Sequence, residues 1–139
     1  MFALIYASKD DVGFEQPDLL ELCLKSTQRN KAMGITGYLY FRHGKFFQYL
    51  EGDQKDVLTL MDAIRKDTRH TIVSEVHDDT LNQRRFPSWS MRQIHPEGIV
   101  FEDAIAIQMS VLTRMGMDSF AKSKIWPSIE KLSQLRARL

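Results

Sequence analysis

Hydrophobic and polar positions along this chain switch between two periods, and the switches mark out its elements. Residues 2–8, FALIYAS, place Phe2, Leu4, Tyr6 and Ser8 on one alternating face and Ala3, Ile5 and Ala7 on the other. Both faces are mostly buried types, which predicts a strand covered on both sides. After the polar run KDDVGFEQ, Pro17 stands where a first helical residue is tolerated, and DLLELCLKSTQRN predicts a helix to about Asn30. Gly34 restarts the chain. Residues 34–41, GITGYLYF, and 45–52, KFFQYLEG, predict two strands joined by Arg42, His43 and Gly44, a hairpin with a glycine available for positive φ. Asp53 is placed to cap a helix to about Lys66, in which Val57, Leu60, Met61 and Ile64 fall at i, i+3, i+4 and i+7. Residues 71–79, TIVSEVHDD, alternate as a strand. Beyond an Arg-Arg-Phe-Pro turn, residues 88–94, SWSMRQI, predict another.

The order strand, helix, strand, strand, helix, strand, strand predicts an α+β fold: a ferredoxin-like βαββαβ unit plus an extra strand, with two helices on one face of a five-stranded mixed sheet. Beyond His95-Pro96, FEDAIAIQMSVLTRMG reads as a helix with two apolar stripes, Ala104, Ile107, Val111, Met115 and Ile105, Met109, Leu112. A last helix over about 118–139 is expected to be interrupted at Pro127. Residues 1–96 are thus expected to form the sheet domain, and 97–139 a helical extension on the sheet's other face.

Composition narrows the function more than the fold. With 139 residues, 43% of them hydrophobic, the chain can bury a core of one domain, and a formal charge of +1 argues against a domain devoted to nucleic acid or an anionic membrane. Lys122, Lys124, Lys131, Arg136 and Arg138 against Glu130 make the last helix basic, which reads as a solvated face. If it binds nucleic acid, neutralising those residues or adding salt would abolish the binding. The single Cys23, in the apolar run LLELCLK, reads as a small buried hydrophobe and permits no internal disulfide. No apolar run approaches the roughly 20 residues of a membrane span, and the start MFALIYASKDD is unlike a signal peptide, so the protein is expected to be cytoplasmic. His43, His70, His77 and His95 are dispersed without ligand spacing and read as turn and surface residues, so no metal is expected. A hydrolase of the acylphosphatase type would need an Arg-bearing phosphate loop after the first strand, and KDDVGFE has none.

Three polar residues resist a purely structural account. Tyr6 lies on a face with Phe2 and Leu4, Asn30 closes the first helix, and Gln48 shares a strand face with Phe46 and Leu50. Singly, each has an ordinary explanation as a bonded phenol, a helix cap or a backbone-bonded amide. In a βαββαβ fold the first and third strands are central neighbours, so Tyr6 and Gln48 would meet under the helices with Asn30 at the mouth. An apolar slot with a phenol and two primary amides suits a planar heterocycle carrying alternating C=O and N–H groups.

The segments LIYAS (4–8), RNKAMGITG (29–37), FFQYLEGD (46–53), DTRH (67–70) and RFPSWSMR (85–92), in this order and spacing, resemble the BLUF family of blue-light sensors that use flavin. The resemblance covers about residues 2–95, and the following helices are similar to those of the short, stand-alone members. It implies FAD held non-covalently between the two helices, Tyr6 as photochemical electron donor, Gln48 linking that phenol to flavin N5 and C4=O, and Asn30 pairing with the C4=O and N3–H edge. It further implies that Ser8, Leu22, Ile35, Leu39, Phe46, Asp67, Arg69 and His70 line or edge the ring and its tail. Trp89 and Met91, two apart and so expected on one face, would carry the signal outward. Some relatives have an Arg on the second helix for the FAD phosphates; by register that place is Ala63, with Arg65 two residues on, which leaves Arg69, Arg29 and Lys31 as candidates.

The resemblance implies a photosensory signalling protein and not an enzyme. As no output domain follows in the sequence, an unidentified downstream protein, or a homo-oligomer formed through the sheet or the C-terminal helices, would take the output. The alternative from a different class is a flavin-free ferredoxin-like interaction module, and flavin absorption in the purified protein separates the two.

Overall fold

The computed structural model describes residues 1–95, 102–114 and 122–136. Strands β1 (Phe2–Asp10), β2 (Thr36–Arg42), β3 (Lys45–Gly52), β4 (His70–Asp78) and β5 (Ser90–Gln93) form one sheet in the order β4-β1-β3-β2-β5. Pairing is antiparallel throughout except between β2 and β5, so the sheet is mixed, with β1 and β3 adjacent near its centre. This is the ferredoxin-like arrangement with an added parallel edge strand. Helices α1 (Gln16–Met33) and α2 (Gln54–Lys66) cover one face, and α3 (Glu102–Thr113) and α4 (Ile125–Arg136) pack against the other.

Two apolar cores follow from the alternation in the strands. Leu4, Tyr6, Phe46 and Leu50 point to α1 and α2, while Ala3, Ile5, Phe47 and Tyr49 point to α3 and α4. Helix α2 begins at Asp53, whose carboxylate accepts from the Lys55 N–H at 3.0 Å, and buries Val57, Leu60, Met61 and Ile64 as the spacing predicts. The hairpin loop is His43-Gly44, with φ of 52° and 72°, the pair of positive values that joins twisted strands in two residues. Strand β2 crosses β3 so closely at Gly37 that a Cβ there would stand 1.8 Å from the Tyr49 carbonyl oxygen.

Four expectations are corrected. Helix α1 runs past Asn30 to Met33, because Gly34 is its C-cap and the Asn30 carbonyl takes the N–H groups of Gly34 and Ile35. In α3 the buried stripe is Ala104, Ile105, Gln108, Val111 and Leu112, leaving Ile107 exposed; the expected Met115 lies outside the described residues. The last helix breaks at Lys124 and not at Pro127: residues 122–123 are helical, Lys124 is a turn, and α4 starts at Ile125 with Pro127 in its first turn, where its missing N–H has no helical partner to lose. Strand β5 is shorter than expected, and Trp89 and Met91 lie on opposite faces of the sheet: Trp89 joins the core under α3 and α4, Met91 the core under α1 and α2. Met91 has φ of 81°, and the β2–β5 register shifts between Gly37 and Tyr38. This irregularity resets the alternation on which the shared-face expectation rested.

Candidate functional site

Register brings the two central polar residues together: Tyr6 and Gln48 are direct partners across the β1–β3 ladder, on the face covered by α1 and α2. The Tyr6 hydroxyl donates a short hydrogen bond to Gln48 Oε1, and Gln48 Nε2 donates to Met91 Sδ at 3.1 Å. Both ends of the amide are thus engaged in a chain from phenol to thioether. Burial pushes the Tyr6 hydroxyl well above the usual phenol range, with Arg29 opposing and Asp67 and Glu75 adding to the rise. At neutral pH Tyr6 is therefore a protonated donor.

A cavity opens beside this pair between α1 and α2. Of the residues expected there, Tyr6, Leu22, Leu39, Phe46, Gln48, Asp67, Arg69 and His70 line it. Asn30 neither sits at its mouth nor lines it but is fully enclosed, and both its Nδ2 and its Oδ1 lack a hydrogen-bond partner among the described residues. An unsatisfied buried amide costs on the order of 1–3 kcal/mol per group, so a ligand that offers it both a donor and an acceptor is what this position fits. Ser8 and Ile35 are buried and do not line the cavity. Ser8 works through His70, whose ring bridges Ser8 Oγ and the Ile64 carbonyl, each at 2.7 Å. A carbonyl only accepts, so Nε2 carries the hydrogen and, in the neutral ring, Nδ1 accepts from Ser8. Among the four histidines, His70 is thus a half-buried site residue and not a surface one.

The cavity also has walls that sequence reasoning missed. Ser26 lies on the buried stripe Leu19, Cys23, Ser26, Asn30 of α1, and a second polar residue on that stripe was the available signal. Phe14 gave none, because it sits in a polar loop. There the Asp10 carboxylate accepts from the N–H groups of Val12, Gly13 and Phe14, at 2.9, 2.8 and 2.7 Å, folding the loop so that Phe14 meets Phe46 edge-on, ring centres 5.0 Å apart. Ala63 and Ile64 of α2 complete the wall.

The cations are unequally committed. Arg65 forks onto Glu75 with bonds of 2.8 and 2.6 Å, and Arg69 clasps Asp67 while lying over the Phe14 ring. The Arg69 hydrogen bond holds the Asp67 carboxyl down at about 2. Arg29 lines the cavity from α1 and has no ion pair among the described residues. Cys23 is buried on the apolar face of α1, as expected. No helix among the described residues is long and apolar enough to cross a membrane.

An α+β sheet whose two helices wall a slot lined by a phenol and an engaged amide defines a binding domain for a flat, hydrogen-bonding cofactor. The family described as sensors of blue light using FAD, BLUF, matches residues 1–92, and the chain belongs to it: a blue-light photoreceptor module whose cofactor is FAD. Subunit beta of the photoactivated adenylate cyclase of Euglena gracilis is 38% identical over 89 residues, 63% of this chain and 10% of that protein. The blue light- and temperature-regulated antirepressor BluF of Escherichia coli K12 is 35% identical over 85 residues, 60% of this chain and 21% of that protein. The dark-state structure of BlrB, a BLUF protein, shares the fold with a TM-score of 0.68 at 24% identity, over 96% of this chain and 95% of that one. The chain spans between about a tenth and a fifth of the length of these two curated relatives.

Proposed function

We propose that Tyr6 and Gln48 form the photochemical pair of this receptor, and that the Gln48 amide is the element whose state light changes. The observation that carries this reading is the unbroken chain Tyr6 hydroxyl, Gln48 amide, Met91 sulfur beside the cavity. The enclosed, unsatisfied Asn30 amide supports FAD as the group that fills the cavity. FAD held there would supply the blue absorption and, once excited, an acceptor for one electron, for which Tyr6 is the donor on this chain. A phenol that has lost an electron is a strong acid, and the Tyr6 proton moves along its existing bond to Gln48 Oε1. When electron and proton return to Tyr6, the amide can be left rotated or as its imidic tautomer, because either arrangement offers a donor and an acceptor.

The exchange matters at Met91. Nε2 donates to the thioether, whereas a rotated amide sets a carbonyl oxygen against a sulfur that can only accept. That contact becomes repulsive, and Met91 with β5 must shift. The residue is a two-state element of the kind signalling requires.

Leu22, Leu39, Phe46 and Phe14 supply the apolar walls, Ser26 lines the α1 side, and Ser8 with His70 fixes the edge at β4. Among the described residues Arg29 is the cavity-lining cation without an ion pair and so the candidate to meet the FAD phosphates, since Arg69 is held by Asp67 and Arg65 by Glu75. Residues 1–96 act as the flavin-binding unit, and the helices of 97–139 carry the output to a partner protein or to a second copy, in the cytoplasm and without enzymatic activity of this unit. The test is absorption spectroscopy of FAD-loaded protein before and after blue light. The wild type is expected to show a red shift that reverses in the dark. Tyr6→Phe and Gln48→Leu are expected to keep FAD and lose the shift, and a normal photocycle in either would overturn the assignment.

A further inference from the structure

Residues 84–91, the end of the β4–β5 connection and the first half of β5, are bound into a single block. Glu51, with no solvent exposure, accepts from the Arg85 and Phe86 N–H groups, both at 2.8 Å, and from Thr36 and Tyr49 hydroxyls at 2.7 and 2.9 Å. A buried carboxylate satisfied by four donors fixes the backbone of this segment against β3. Phe86 is fully buried and stacked on Trp89, ring centres 5.0 Å apart, and its carbonyl accepts from the Trp89 N–H at 3.1 Å. The Trp89 carbonyl in turn accepts from Gly37 at 2.8 Å. The block therefore moves as a unit or hardly at all.

Among the described residues, two of its contacts lie on opposite faces of the sheet. On the cofactor face, Met91 receives the Gln48 amide. On the other face, the Arg85 guanidinium reaches α4: Nε donates to Glu130, and the group lies 5.4 Å from the Trp126 ring centre. The same guanidinium donates to the Tyr49 hydroxyl at 2.9 Å and to Asp78 at 3.3 Å. These partners are not equally easy to release. The side chains of Arg85 and Asp78 are 8% and 12% exposed, whereas Glu130 is 48% exposed. Unpairing a buried charge costs several times more than returning a half-exposed carboxylate to water, so Glu130 is the partner that lets go when the block shifts.

We propose that Arg85 is the positioning residue through which the state of Gln48 reaches helix α4, with the Arg85–Glu130 contact as a latch that light loosens. The proposal rests on the Gln48 switch argued above. It asks only the edge strand β5 and the segment before it to shift, because Met91 and Arg85 belong to one block that is pulled on one face and holds a helix on the other.

The experiment is amide hydrogen exchange of the FAD-loaded chain in the dark and under blue light, with the absorption spectrum recorded on the same samples. In the wild type, light is expected to speed exchange across residues 125–136. In Glu130→Gln, dark exchange there is expected to rise toward the lit level, and the difference between light and dark to fall by more than half, with the red shift intact. Arg85→Lys, which keeps the charge and loses the fork, is expected to give the same result, and Lys131→Gln, on an exposed position of the same helix, to behave as wild type. A red shift with no light response in 125–136, or a full response in Glu130→Gln, overturns the latch. Absence of the red shift in the wild type overturns the Gln48 switch, and the latch with it.

Discussion

Each face of the sheet carries a tyrosine hydrogen-bonded to a glutamine, and the surroundings of the two pairs are opposite. Under α1 and α2, Gln48 is engaged at both ends, by Tyr6 and Met91, and borders a cavity. Under α3, Gln108 takes the Tyr38 hydroxyl at 2.7 Å and the Tyr40 hydroxyl at 3.4 Å on one oxygen, while its Nε2 has no partner. Tyr38 is stacked between Tyr40 and Tyr49, at ring distances of 6.2 and 5.4 Å. The chemistry of the two pairs is the same, yet among the described residues Gln48 is the one that borders the cavity and donates its Nε2 to an acceptor, Met91 Sδ. Gln108 is a docking contact for α3. A Tyr–Gln pair is therefore a candidate switch by virtue of its neighbours, not its composition.

The sharpest break between the pairs is a matched substitution. Gln48→Leu is expected to eliminate the light-induced red shift, whereas Gln108→Leu keeps it and instead lowers stability by about 1–2 kcal/mol, because two buried hydroxyls lose their acceptor. Denaturant unfolding beside absorption spectra reads both effects, and a lost red shift in Gln108→Leu would erase the distinction.

Asn30 tests the cavity side from the other direction. Its amide finds no partner among the described residues of the protein itself, so Asn30→Leu is expected to leave the protein without FAD at least as stable while weakening FAD binding by about tenfold, the equivalent of one good hydrogen bond. Titration with FAD and thermal unfolding without it give the two halves. A variant that loses stability in both would show Asn30 to be a structural residue.

The smallest effect is expected at Asp67. Its folded-state value of about 2 lies below the ordinary one of 3.8, so its bond to Arg69 stabilises the fold above about pH 4 and is lost as pH falls from there toward 2. With Arg69 half exposed, the contribution is screened to less than about 1 kcal/mol. Asp67→Asn should therefore lower the neutral plateau by less than about 1 kcal/mol and leave stability near pH 2 unchanged, which flattens the acid limb, and an unmoved plateau would contradict this.

What was readable beforehand follows the same division. The hairpin, the capped α2 and the pairing of β1 with β3 were legible, because each rests on regular periodicity or on turn chemistry carried by particular residues. Tyr6 and Gln48 were legible because a polar group on an apolar strand face needs a partner. The opposite facing of Trp89 and Met91 was not, since alternation assumes a regular strand and Met91 is left-handed. Nor was the buried stripe of α3, where a glutamine occupies the centre and periodicity offers two stripes of equal merit. Phe14 was hidden because a carboxylate four residues earlier in the chain aims its loop, and the commitment of Arg65 to Glu75 is a contact between elements that no local pattern encodes.

The close passage of β2 over β3 at Gly37 has a practical consequence for screening. In a saturation library, position 37 would be an empty column, since any side chain there collides with the Tyr49 carbonyl, whatever its polarity and whether or not FAD is present. Colourless clones at 37 would then mark the signal of protein that has not folded. Against that baseline, a colourless clone at Asn30 can be recognised as a folded protein that has lost its pigment.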